Sequence, residues 1–219
     1  MSNAERPDGV IFESWNYLLL ENADWLEPMF LSSVEGQIAT RYLLIGQKDH
    51  GFEQLDGLKG KSLNIFYATN SEPGHYWLQT KLREKHLGRP EDYFGRVEYK
   101  TEPAAAVLPV FFGKTDTALI AENKLELMIE LNPQLTNLKP VVISQPLVSG
   151  VTCLNRFGWT SDSFRKNVIL AMEELHLSPA GQQILTLFKM DQLSPYERHH
   201  LDTMRSLQQS ILADDQAKQ

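Results

Sequence analysis

The sequence predicts an α/β fold, in which short buried strands alternate with amphipathic helices. Two observations predict it: apolar runs of four to six residues end at glycine or at charged residues, and apolar residues recur at helical spacing between several of these runs. The chain has 219 residues, of which 42% are hydrophobic and 22% charged, as in a globular protein with a substantial core. We therefore expect an α/β architecture with mainly parallel sheets.

Seven apolar runs are predicted as strands, because each has the length and the residue types of a buried strand. They are residues 9–12, 41–46, 62–66, 97–100, 117–121, 141–144 and 151–154. Cys153, the single cysteine, lies in the last run, which favours a buried thiol over a nucleophile and rules out an intramolecular disulfide.

Helices are predicted from their start and stop signals. One covers residues 74–87, before a glycine and a proline, and another covers 102–112, with proline near its first position. The C-terminal third is predicted to be helical at 164–175 and 179–188. A capping box at 194–197 is predicted to open the last helix.

The charge balance excludes some classes of function. The net charge is −7, from 28 acidic and 21 basic residues, and the sequence has no run of lysine or arginine that would form a local positive patch. Binding to nucleic acid irrespective of its base sequence is therefore not expected. No apolar stretch has the length of a membrane span.

Two corners of the predicted sheet suit an anionic group. After strand 62–66 the chain turns through Thr69 to His75, and the amides of Gly74, His75 and Tyr76 are expected to be unpaired at a helix N-terminus. Residues 101–104 form a second such corner. Ligands of α/β sheets bind beyond the carboxyl ends of strands, which favours a binding cleft; an ordinary strand-to-helix turn is the alternative.

The order of several motifs resembles a known family. The motifs are DGVIFESWNYLLLE (8–21), ATRYLLIGQKD (39–49), DGLKGKSLNIF (56–66), VFFGKTDTALIA (110–121), ISQPLVSGVTCLNR (143–156) and LSPAGQQIL (177–185). Together they resemble the periplasmic solute-binding proteins of phosphate and phosphonate uptake systems, which have the type 2 periplasmic binding fold. The resemblance covers most of the chain from Asp8 onward.

The resemblance implies two lobes joined by paired strands, with the ligand between them and lobe closure signalling to a membrane transporter. It implies a partial first lobe with a crossing strand at 5–45, a second lobe at 46–150, and a return crossing with C-terminal helices at 151–219. Family members begin with a strand–helix–strand–helix unit ahead of Asp8, so the first lobe is expected to be incomplete. An incomplete lobe exposes a sheet edge, from which a homodimer is a possible consequence.

The resemblance also implies the ligand-binding residues. In the second lobe they are Thr69, Ser71, Gly74, His75, Thr101 and Ser144. In the first lobe they are Glu13, Ser14, Trp15 and Tyr17, of which Trp15 or Tyr17 would cover an organic tail. The family's hydroxyl-rich anion turn is Ser71-Glu72-Pro73-Gly74 here. Because Glu72 would repel phosphate, a zwitterion whose cationic group contacts Glu72 competes with a phosphonate-like anion.

The predicted function is that of the solute-binding component of an ABC-type importer, without catalysis or cofactor, that works with a membrane permease in the periplasm. The chain shows no signal peptide, so the location depends on the resemblance alone. A ligand-sensing regulatory domain of the same fold is the alternative. A hydrolytic enzyme is less expected, because no nucleophile–base set is evident.

Two other groups of side chains receive structural interpretations. His199 and His200, beside Glu197, would point about a hundred degrees apart on a helix, so no metal site is predicted. Asp116, directly before strand 117–121, is interpreted as a turn residue.

Overall fold

Strands and helices alternate along the chain in a computed structural model that describes residues 6–52, 54–67 and 72–216. The strands are β1 (Gly9–Glu13), β2 (Leu26–Ser33), β3 (Ala39–Thr40), β4 (Tyr42–Gln47), β5 (Ser62–Phe66), β6 (Arg96–Lys100), β7 (Thr117–Ala121), β8 (Leu138–Ile143), β9 (Leu147–Val148), β10 (Gly150–Asn155) and β11 (Gln192–Pro195). The helices are α1 (Ser14–Leu20), α2 (Glu72–Glu84), α3 (Pro90–Tyr93), α4 (Pro103–Phe111), α5 (Glu122–Leu131), α6 (Asp162–Glu173), α7 (Pro179–Leu187) and α8 (Asp202–Gln216). Within these residues no helix has the length and apolar character needed to cross a membrane.

The chain forms two compact units. The first unit consists of Met1–Ala39 and Val148–Arg205, and the second of Thr40–Leu147 and Ser206–Gln219. The short strands β3 and β9 pair with each other in a separate two-stranded sheet.

The second unit contains a five-stranded mixed sheet in the order β6-β5-β7-β4-β8. Strand β5 is parallel to both β6 and β7, whereas β4 is antiparallel to β7 and β8. All five residues of β7, TALIA, are buried, as expected for a strand with other elements on both faces. Helix α4 packs onto this sheet through Ala106, Val107 and Val110.

The first unit contains a four-stranded sheet in the order β1-β10-β2-β11, in which each pair is antiparallel. All six residues of β10 are buried, including Cys153. Burial raises the pKa of the Cys153 thiol to about 12, which is the opposite of what a nucleophilic thiol needs. The interpretation of Cys153 as a buried strand residue is confirmed.

The α/β class is confirmed, but among the described residues parallel pairing is limited to β5 with its two neighbours. The alternation of strands and helices correctly predicted this parallel part of the sheet. It did not predict the antiparallel pairing of β4, or of β1 with β10, because these partners come from distant parts of the chain and no local pattern records their direction.

The predicted capping box at 194–197 was wrong. Residues Gln192–Pro195 form β11, at the edge of the first-unit sheet, where a proline removes no needed ladder hydrogen bond. A 3₁₀ turn, Arg198–Leu201, follows, and α8 begins only at Asp202. The capping box lies three residues later, between Glu197 and His200.

Strand β2, helices α3 and α5, and the two-residue strands β3 and β9 were not predicted. Strand β2 was missed because Glu27 and Pro28 interrupt its apolar pattern. Pro28 lies where the register between β2 and β10 shifts: Thr152 pairs with Phe30, but the next residue, Cys153, pairs with Pro28. Such an irregularity of the strand pairing tolerates a proline.

Candidate functional site

Three helices begin at the same edge of the second-unit sheet. Strands β5, β6 and β7 are mutually parallel, with Phe66 opposite Lys100 and Ile65 opposite Leu119, so their carboxyl ends meet at one edge. Helix α2 follows β5, α4 follows β6 and α5 follows β7. We call this the carboxyl edge. Because the amides of each first helical turn lack helical partners, this edge presents several hydrogen-bond donors and the positive ends of three helix dipoles.

The N-terminus of α4 has the features that anion binding requires. No side chain caps it at Glu102, and its first turn contains no acidic residue. Pro103 has no N–H, but Ala104 and Ala105 are both exposed, and their amides precede the first helical bond, which Ala106 donates to Glu102 over 3.2 Å. The exposed Thr101 lies directly beside this turn. The corner at 101–104 is therefore formed as predicted.

The N-terminus of α2 differs from the expectation, because the helix begins at Glu72 rather than at residue 74. The amide of Tyr76 lies four residues after Glu72, in the position of a helical donor, so the prediction that it is unpaired was wrong. Gly74 remains in the first turn. Thr69 and Ser71 lie outside the described residues.

Gly74 is required by packing as well as by the backbone. It is buried, and a Cβ atom at this position would overlap the ring of Tyr42. Tyr42 is itself buried and opens β4 at the carboxyl edge. The glycine thus brings the first turn of α2 onto the start of β4.

Ser144 lies at the same edge, just after β8. Its hydroxyl accepts the Tyr42 amide over 2.8 Å and donates to the Gln145 carbonyl over 2.6 Å. Ser144 is 5% exposed. Of the predicted second-unit residues, Gly74 and Ser144 are therefore linked through Tyr42, and the hydroxyl of Ser144 is already engaged in ordering the edge.

The ring of His75 belongs to an aromatic cluster that sequence reasoning missed. Its centroid lies 5.7 Å from the rings of Tyr67 and Tyr99 and 5.8 Å from that of Tyr76, in edge-to-face contacts. Its Nε2 is 2.8 Å from Nε2 of Gln79. The signal was available in the sequence, since a tyrosine follows β5 directly and another stands next to the end of β6.

The start of α5 adds polar groups that were also missed. The Glu122 amide donates to the Arg41 carbonyl over 2.9 Å, and the Arg41 guanidinium lies 3.9 Å from the Glu122 carboxylate. Asn123 has a buried side-chain oxygen for which the described residues provide no hydrogen-bond partner. The apolar spacing of Leu125, Met128 and Ile129 would have indicated this helix.

The predicted first-unit residues lie together at the start of α1. Ser14 is fully buried; its amide donates to the Ser149 carbonyl over 2.8 Å and its hydroxyl to the Val148 carbonyl over 2.7 Å. Trp15 and Tyr17 are buried, and Glu13 is partly exposed. Burial, together with a hydrogen bond to Tyr196, raises the pKa of the Tyr17 hydroxyl. These contacts anchor α1 to the return crossing.

Asp116 has the structural role predicted for it. Its carboxylate accepts the amide and the hydroxyl of Ser62 over 2.8 and 2.7 Å, and its own amide donates to the Ser62 hydroxyl over 2.9 Å. These bonds join the beginnings of β5 and β7, at the opposite edge from the candidate site.

The prediction that no metal binds at Glu197, His199 and His200 assumed that the two histidines lie on an α-helix and point apart. That assumption is wrong, because these residues lie in and before a 3₁₀ turn. Their possible ligand atoms lie within 4.8 Å of one another. However, Nδ1 of His200 already accepts a hydrogen bond from the Glu197 amide over 3.1 Å, as part of the cap of this turn.

Comparisons with known proteins give the family and the fold. Residues 3–201 match the family described as the periplasmic substrate-binding protein of a phosphonate ABC transporter. No curated protein matches the chain. One similar structure is XAC2383 from Xanthomonas citri bound to ATP, with 13% identity, 95% of this chain and 78% of that chain covered, and a TM-score of 0.70.

Two further similar structures mention a phosphonate in their names. A binding protein component of an ABC phosphonate transporter from Pseudomonas aeruginosa shares 16% identity, with 96% and 72% of the two chains covered and a TM-score of 0.65. PhnD1 from Prochlorococcus marinus, in complex with methylphosphonate, shares 15%, with 93% and 78% covered and a TM-score of 0.62. The fold is that of periplasmic binding proteins, and the chain belongs to the family of periplasmic substrate-binding proteins of phosphonate ABC transporters.

Proposed function

We propose that this protein binds a small phosphonate-like oxyanion at the carboxyl edge of the second unit and presents it to the permease of an ABC importer in the periplasm. The observation that supports this most directly is the uncapped N-terminus of α4, beside two other helix N-termini on parallel strands. The family consists of transport proteins rather than enzymes, and binding through amides and hydroxyls requires no chemistry.

The donors proposed for the oxyanion are main-chain amides and hydroxyls rather than a full positive charge. They are the amides of Gly74, Ala104 and Ala105 and the hydroxyls of Thr69, Ser71 and Thr101. Arg41, half-exposed at the same edge, contributes positive potential, although Glu122 balances part of it. Ser144 keeps Tyr42 in place and so acts indirectly.

We expect aromatic side chains to bind the organic part of the solute. His75, with Tyr67 and Tyr99, provides ring surface next to the first turn of α2. In the first unit, Ser14, Trp15 and Tyr17 are buried, so of the four predicted residues Glu13, which is partly exposed, remains a proposed contact. A solute that also carries a cationic group would use Glu13 or Glu72 for it.

The test is isothermal titration with methylphosphonate, 2-aminoethylphosphonate, inorganic phosphate and sulfate, together with thermal unfolding. A ligand at about a hundred times its dissociation constant adds roughly 2.7 kcal/mol of stability. We expect a phosphonate to bind, and Thr101→Val to weaken it about tenfold. Thr160→Val, at an exposed position of the first unit, is the matched control. Absence of binding by all four probes, or equal affinities of T101V and the control, would refute the proposal.

The alternative of a ligand-sensing domain shares the same site and differs in its partner. Reconstitution with the cognate permease separates the two, because an importer component stimulates solute uptake.

A homodimer through the first unit is also proposed, since β1 lies at the edge of its sheet with Ile11 exposed. Sedimentation at several concentrations, with Ile11→Lys as the disrupting variant, tests it.

A further inference from the structure

The first unit contains a large apolar cavity that the proposed function does not use. It measures about 610 Å³ and lies between strands β1 and β10 and helices α6 and α7. Apolar residues form most of its wall, among them Trp159, Phe164, Val168, Ile184 and Phe188. Every lining residue belongs to the first unit, so the cavity is separate from the carboxyl edge of the second.

The size and exposure of this cavity are those of a ligand site rather than of a packing defect. Ligand pockets measure about 300–1,000 Å³ and are mainly apolar with few polar groups. Phe164, Ile184 and Phe188 are 53%, 46% and 47% exposed, so the wall is in contact with solvent. Contiguous exposed apolar surface of this kind marks binding sites in soluble proteins.

The charge at the cavity indicates what kind of molecule it accepts. Asp8 is the one charged residue in the lining; it is exposed, and no ion pair with another described residue involves it. The rings of Trp159 and Phe164 lie 6.1 Å apart, and aromatic rings attract cations as well as apolar groups. An anionic molecule would meet the Asp8 carboxylate; the other side-chain oxygen and nitrogen atoms of the lining are the Thr152 hydroxyl and the Trp159 indole N–H, which donates to the Asn155 carbonyl over 2.6 Å.

We propose that this cavity binds an apolar cation, a molecule with an aliphatic or aryl body and one ammonium group. The body fills the space between α6 and α7, and the ammonium group pairs with Asp8 at its margin. This ligand is distinct from the oxyanion proposed above, and the inference does not depend on that proposal.

The test uses three probes with the same alkyl chain, each below its micelle-forming concentration: decyltrimethylammonium, decyl sulfate and decanol. Isothermal titration is expected to show saturable binding of the cation with one site per chain, at least tenfold tighter than binding of decyl sulfate. Asp8→Asn should weaken the cation about tenfold and leave decanol unchanged. Asp24→Asn, at another exposed acidic position of the first unit, is the control.

A second variant tests the location. Val168→Trp fills the cavity and should weaken all three probes more than tenfold, while the thermal unfolding midpoint and the circular dichroism spectrum show that the fold is intact. Equal affinities of the cation and the sulfate, no saturable binding of any probe, or unchanged binding by V168W would each overturn the proposal.

Discussion

Two helices of this protein, α4 in the second unit and α6 in the first, are buried to very different extents. In the second unit, Val107 and Val110 of α4 are fully buried in a core cluster with Leu43, Ile45 and Ile120. In the first unit, α6 has twelve residues and none of them is buried, although Phe164, Val168 and Met172 follow helical spacing. An apolar stripe therefore shows which face of a helix can be covered, but not whether that face is covered.

The difference has a cause in the layers around each sheet. The central strand β7 lies in the middle of a five-stranded sheet, and its residues are all buried. In the first unit, the smaller core cluster of Phe30, Leu185, Met190 and Leu193 lies beside an open cavity of about 610 Å³. The first unit thus keeps apolar helix surface beside its cavity, whereas α4 of the second unit packs into the core cluster of its sheet.

Truncation of a core side chain gives the largest expected contrast between the units. Ile45→Ala removes a fully buried side chain and should lower the free energy of unfolding by about 2–5 kcal/mol. Ile184→Ala, at a position 46% exposed in the cavity wall, should cost less than about 1 kcal/mol. Urea unfolding measures both. Equal losses would contradict the contrast in packing.

The packing of Gly74 on Tyr42 gives the next effect. Gly74→Ala introduces a methyl group that overlaps the tyrosine ring, so α2 or Tyr42 must move, at a cost of about 1–3 kcal/mol. The variant should also weaken phosphonate binding, because the first turn of α2 shifts. Gly57→Ala is the matched control, since nothing lies near a Cβ atom there. Stability changes of the same size in both variants would show that the close approach is not needed.

Removal of the Asp116 carboxylate comes third. Asp116→Ala leaves the amide and the hydroxyl of Ser62 without their acceptor and should cost about 1–2 kcal/mol. Phosphonate binding should remain unchanged, because these bonds lie at the edge opposite the candidate site. Asp49→Ala, at an exposed position of the same unit, should stay within about 0.5 kcal/mol. A loss of binding in D116A with wild-type stability would assign Asp116 to the site instead.

Much of the second unit could be predicted from the sequence, because its central strands are continuous apolar runs. Strands 62–66 and 117–121 match the structure at both ends. The corner at 101–104 followed from a strand end and a proline at the first helical position. The start of α2 at Glu72 could not be predicted, since Gly74 in its first turn packs against Tyr42, which is distant in sequence.

The first unit was harder to predict, for physical reasons that the residues make clear. Glu27 and Pro28 interrupt the apolar pattern of β2, so the sequence did not indicate a strand there. Pro195 follows a serine, as at a helix start, although it lies in an edge strand. The pairing of Ser14 with Val148 joins segments 134 residues apart. A local pattern records propensity, whereas these features depend on tertiary partners.

The accessibility of Cys153 gives the smallest effect and tests whether the cavity loosens the first-unit sheet. Cys153 lies in β10, directly after Thr152 of the cavity lining. It is nevertheless fully buried, and desolvation raises the pKa of its thiol to about 12. At pH 8 the native thiol is protonated, so iodoacetamide should react only after unfolding, while Thr160→Cys reacts at once as an exposed control. Because the folded-state pKa is raised, stability should decline as the pH increases above the ordinary thiol pKa. Labelling of Cys153 in the native protein at the rate of the control would mean that the sheet beside the cavity opens to solvent, and the first unit would then differ from the second in its strands as well as in its helices.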